Sequence, residues 1–209
     1  MTKNIDKDSP TWPYELFATT LQQGLDAQET AYNEFLAGRP GLVGEEPADP
    51  QSDQVERMNA SEANVSRINT LFTPERVTAA FGRPEVDGQP GVPSNETKII
   101  ELAATLVSIY DGILEWSRQT LACQVPPPYN ELYPAVANFS RGPLRQIQEF
   151  STLFATTTEK IKKDLLAGRT PSTQLTLSLS ISIDDADLQH FNSTIDRLKR
   201  PKKRSFFRR

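Results

Sequence analysis

Residues 96–121 read ETKIIELAATLVSIYDGILEWSRQTL, and their spacing decides the fold class. Ile99, Leu102, Ala103, Leu106, Tyr110, Ile113, Leu114 and Leu121 recur at steps of three and four, the wide apolar stripe of a helix. Between Ile99 and Leu114 apolar residues nearly surround the axis, so this helix is expected at the centre of the domain. Ser94 or Asn95 can cap its start, and Pro126-Pro127-Pro128 ends it in an extended connector. Glu101, Thr105, Ser108 and Asp111 interrupt the run, which is too short and too polar to span a bilayer.

Working toward the N-terminus, Pro84, Gly88, Pro90, Gly91 and Pro93 crowd residues 82–94 and mark an internal boundary. Before it, Thr73 and Pro74 suit the cap and first position of a short helix that Gly82 ends. Val55, Met58, Val65, Ile68 and Phe72 define a helix over 54–72. Tyr14, Phe17, Leu21, Leu25, Tyr32 and Phe35 define another over 14–37, stopped by Gly38 and Pro40. Residues 38–52 read as a mobile loop. The opening residues, 1–12, lack an apolar signal-peptide core and read as disordered.

Toward the C-terminus, Leu132, Tyr133, Val136 and Phe139 predict a helix over 129–140. Gly142-Pro143 breaks the chain there. Leu144, Ile147, Phe150, Phe154, Ile161 and Leu165 then predict a helix over 143–167. The period next changes. Leu175, Leu177, Leu179, Ile181 and Ile183 alternate with Thr176, Ser178, Ser180 and Ser182, the pattern of a half-buried strand. Asp184 or Asp185 then caps a helix carrying Leu188, Phe191, Ile195 and Leu198.

The expected fold is mainly α: an irregular helical bundle with one C-terminal β-strand at about 174–183, then a short helix and a basic tail. Four regions result: a disordered N-terminus, 1–12; an N-terminal helical region with Pro/Gly-rich loops, 13–94; a helical core with the strand and last helix, 95–199; and a disordered basic tail, 200–209. A lone strand cannot satisfy its own backbone N–H and C=O groups. It must pair with an irregular segment of this chain, with a second copy across a two-fold axis, or with another protein. Leu175, Leu177, Leu179, Ile181 and Ile183 therefore mark an expected assembly edge.

Charge is divided unevenly. Eight of the 23 bases fall in the last thirteen residues, which hold no acid, so residues 1–196 carry 15 bases against 27 acids, a net of −12. Lys199, Arg200, Lys202, Lys203, Arg204, Arg208 and Arg209 are candidate polyanion-binding residues. They suit nucleic-acid phosphates or an anionic membrane, where Phe206 and Phe207 would insert at the interface. A tail that folds back on the acidic body, or merely keeps the chain in solution, is the plainer reading.

Catalytic motifs are sparse. His190 is the single histidine and Cys123 the single cysteine, far apart in sequence. No zinc spacing, phosphate-binding Gly loop or nucleophile elbow occurs. Asp184, Asp185, Asp187 and His190 cluster, but acids in a first helical turn complement the helix dipole without any metal. No cofactor and no metal are expected. Asp111 and Glu115 lie four apart on one helix face, with Arg118 in reach of both. They form the one acid/base pair that an enzyme reading can use, against an Arg-paired surface. The favoured reading is a non-enzymatic interaction or assembly protein that pairs with itself or a partner through 174–183. It is expected in the cytoplasm, or the nucleus if the cell has one.

Overall fold

A computed structural model describes residues 5–38, 50–122 and 129–199. Among these, six helices occur: α1 (Trp12–Ala37), α2 (Pro50–Asn69), α3 (Pro74–Phe81), α4 (Glu96–Ala122), α5 (Leu132–Leu166) and α6 (Asp185–Lys199). A 3-10 turn, Tyr129–Glu131, leads into α5. The architecture is mainly helical. No helix among the described residues is long and apolar enough to cross a membrane.

Local chemistry sets the helix starts. Thr73 accepts a hydrogen bond from the Arg76 N–H at 3.4 Å, with Pro74 in the first turn of α3. Asn95 caps α4 by accepting from the Lys98 N–H at 3.1 Å. Ser94 instead donates to the Phe81 carbonyl at 2.7 Å. Asp184 caps α6, accepting from the Ala186 N–H at 2.7 Å. At the end of α5, Gly168 adopts φ 66°. Bonds from Gly168 N–H to Leu165 O (3.0 Å) and Arg169 N–H to Asp164 O (2.9 Å) make a Schellman cap.

α4 occupies the centre and packs against α1, α2, α3 and α5. Ile99, Ala103, Leu106 and Ile113 are fully buried along it. They join Phe17, Leu21 and Leu25 of α1, Ile68 of α2, Phe81 of α3 and Ile147 and Phe154 of α5 in the larger core. That core draws on both sides of residues 82–94. A second core gathers Met58, Trp116, Val136, Phe139, Phe191 and Ile195, so α6 closes over α5. Trp116 meets Phe139 and Phe191 edge to face at 5.1 and 5.8 Å, and its indole N–H donates to Gln54 at 2.9 Å. Each fully buried Leu, Ile or Phe contributes about 1.5–3 kcal/mol.

Three expectations change. First, the predicted helices over 129–140 and 143–167 are one continuous α5 that runs through a buried Pro143. An interior proline costs about 3 kcal/mol. Phe139 and Ile147, each a turn away and buried in the two cores, offset that cost by keeping both halves on one axis. Second, residues 82–94 are not a plain loop. Arg83 and Val92 exchange two 2.8 Å backbone bonds across a small hairpin. Asp87 and Gly88, with φ 50° and 75°, supply its turn. Third, the C-terminal strand expected over 174–183 is absent as a paired strand: only two isolated bridges occur among the described residues, both in that hairpin. Residues 174–183 lie in neither helix nor turn, alternate in burial as a strand does, and have no strand beside them among the described residues.

Residues 5–11, grouped with the disordered N-terminus, form hydrogen-bonded turns. They are held because Ser9 and Thr11 reach the buried Glu15 carboxylate at 3.2 and 2.6 Å, which Lys162 of α5 also meets at 2.6 Å. Of the mobile loop read over 38–52, residues 39–49 lie outside the described residues, whereas 50–52 belong to the first turn of α2. The polyproline connector, Cys123 and the tail from Arg200 to Arg209 also lie outside.

Candidate interaction site

The 174–183 segment follows α5 after the Schellman reversal. Its side chains keep the predicted alternation. Leu177 and Ile181 are buried, Leu175, Leu179 and Ile183 are half-buried, and Thr176, Ser178, Ser180 and Ser182 reach solvent or its margin. The leucines and isoleucines pack on the larger core, and Ile183 also meets the second. The apolar half of a strand is therefore present without a sheet.

Two side-chain amides take the place of neighbouring strands. Asn69, the last residue of α2, accepts from the Ile181 N–H at 2.7 Å and donates to the Ile181 carbonyl at 2.9 Å. Gln146 of α5 accepts from the Ser182 N–H at 3.2 Å and donates to its carbonyl at 2.8 Å. In an extended chain the N–H and C=O of one residue face one edge, and those of the next face the other. Asn69 thus satisfies one edge and Gln146 the opposite one.

The alternation extends upstream. Continued upstream, the alternation set by Ile181 and Ser182 assigns the backbone groups of Thr176, Ser178 and Ser180 to the α5 edge. The same rule assigns those of Leu175, Leu177 and Leu179 to the Asn69 edge. None of residues 175–180 makes a backbone hydrogen bond to another described residue. Beside the α5 edge lies a groove of about 330 Å³, lined by Phe150, Leu153, Phe154 and Thr157 from α5 and by Thr176 and Ser178 from the segment. Leu153, 69% exposed, lies there. Free backbone donors and acceptors next to apolar side chains match what an added strand supplies.

Arg118 donates to Asp111 at 2.6 Å and to Glu115 at 2.9 Å, and Gln119 also donates to Glu115 at 3.0 Å. One guanidinium pairs with both carboxylates, and neither lines the clefts of about 520, 460, 330 and 280 Å³ among the described residues. Of the polyanion-binding candidates only Lys199 is described, exposed at the end of α6. Arg200, Lys202, Lys203, Arg204, Arg208, Arg209, Phe206 and Phe207 lie outside the described residues. Arg197 pairs with Glu131 at 2.6 Å. Asp184 is occupied as a cap and His190 is exposed. Among the described residues no group of three or more His, Cys, Asp or Glu is placed to hold a metal.

Sequence reasoning located the apolar side of the site and missed Asn69 and Gln146. Nothing in their spacing distinguishes them from other polar residues on helices. Compared with protein-family models, curated proteins and solved structures, the chain matches none.

Proposed function

We propose that this chain is a non-enzymatic interaction protein that takes an extended segment of a partner protein by strand addition along residues 175–180. One observation carries the reading: the segment's side chains are seated on the core while its backbone groups from Leu175 to Ser180 have no partner among the described residues. Such an edge is a template for another chain. The neighbouring α5 groove argues for a partner with its own alternating apolar residues. A second copy's 174–183 segment serves this poorly, because its leucines are already turned to its own core.

Selection of random peptides displayed on phage against the full chain tests this. Enriched peptides should alternate apolar and polar residues. Their binding should fall about tenfold with Ser178→Pro, which removes one backbone donor on the α5 edge, and likewise with Leu153→Glu. Ser178 is exposed and lies in neither helix nor turn, so the proline displaces no buried side chain and no helical hydrogen bond. Peptides without alternation, or binding indifferent to both substitutions, would contradict the reading.

The tail is proposed as a polyanion-binding arm, supported by its eight bases and absence of acids over residues 197–209. Deleting 199–209 should abolish weak binding to duplex DNA and to anionic vesicles. The log–log salt slope for DNA should be about −4 to −5 if about five phosphates are engaged. Phe206→Ser with Phe207→Ser should weaken vesicle binding alone. Equal binding by intact and truncated chains would refute the arm.

A further inference from the structure

We propose that the cleft between the end of α2, α3 and the start of α4 binds a small organic phosphate. The cleft encloses about 520 Å³. That volume lies within the ordinary range for small-molecule sites. Arg67 of α2, Arg76 of α3 and Lys98 of α4 all contribute to its lining. Its walls include Leu71, Leu102 and Ile109, and a single acid, Glu101, lies among the lining residues.

The three bases are not ion-paired with any described carboxylate, although the body of the chain is strongly acidic. Arg67 makes one side-chain bond, to Asn64 at 3.3 Å. Elsewhere the described bases are often matched: Arg57, Arg118, Lys162, Arg169 and Arg197 each meet an acid within 3 Å. Position adds a second argument. Arg76 and Lys98 sit in the first turns of α3 and α4, where the helix dipole disfavours a cation. Stability alone favours acids at those places. Three unpaired cations from three helices suit a dianion, and the aliphatic wall suits an organic body attached to it.

The phosphate source is settled by probe choice. Titration of the full ¹⁵N-labelled chain with phenyl phosphate, inorganic phosphate and phenol separates the contributions. Phenyl phosphate should give saturable shifts at the backbone amides around Arg67, Arg76 and Lys98. Inorganic phosphate should bind there more weakly, and phenol should give no saturable shift. Combining Arg76→Gln with Lys98→Gln should weaken phenyl phosphate about tenfold. Both residues are exposed, so thermal unfolding should be little changed. The proposal is overturned if these amides show no saturable shift, or if the double variant binds as well as the parent. It is overturned too if inorganic phosphate binds as tightly as phenyl phosphate, or if the shifts map to the basic tail instead.

Discussion

A primary amide carries a donor and an acceptor on one carbon, the same pair that a peptide unit offers to a sheet neighbour. Asn69 uses both on Ile181, and Gln146 uses both on Ser182. Asn69→Leu should therefore leave a half-buried N–H and C=O unpaired and cost about 1–3 kcal/mol, read as a lower urea midpoint at unchanged slope. Asn69→Asp should also destabilise, because a carboxylate cannot donate to the Ile181 carbonyl. Alternating leucines were legible in the sequence because burial imposes a period. The amides were not, because one hydrogen-bonding residue on a helix leaves no periodic trace.

Glu15 is a second residue-scale test. Burial alone would raise its pKa. Hydrogen bonds from Lys162 and Thr11, the Lys162 charge and the Ser9 hydroxyl outweigh it and hold the carboxyl below its ordinary value. A carboxylate with a lowered folded pKa adds stability above its unfolded pKa and loses it as pH falls through the folded one. Glu15→Gln should thus cost about 1–2 kcal/mol near neutral pH. The two chains should converge in stability as pH drops below the usual carboxylate range. A constant difference across that range would remove the ion pair from the account.

At the scale of elements, the stripes of α1, α4 and α6 were readable from the three-to-four spacing, the cap of α3 from Thr73, and those of α4 and α6 as a choice between Ser94 and Asn95 and between Asp184 and Asp185. α5 was misread because Pro143 is a local signal, whereas the two cores that hold its halves together are tertiary. The 83–92 hairpin was readable in principle from Asp87-Gly88, but proline density hid it. Gly82 joins that hairpin to α3 at φ 73°, and a Cβ there would collide with the Val92 carbonyl. Gly82→Ala should cost more than about 1 kcal/mol. A melting temperature equal to the parent's would show that the junction relaxes freely.

For the whole molecule, the division into two cores was not legible, since apolar stripes do not state which helices they meet. Charge was legible as composition but not as the cleft around Arg67, Arg76 and Lys98. The strand-addition account expects the isolated chain to scatter light as a 23.4 kDa monomer. A dimer dissolved by Ser178→Pro would make a second copy the occupant of the edge. The most direct measurement is amide hydrogen exchange along residues 174–183 in the dilute, isolated chain. Ile181 and Ser182, bonded to Asn69 and Gln146, should exchange slowly. Thr176, Ser178 and Ser180 should exchange within about tenfold of unstructured rates, because nothing holds their N–H groups. Protection of those three amides comparable to the core of α4 would mean that the edge already has a partner within the chain, and strand addition would be excluded.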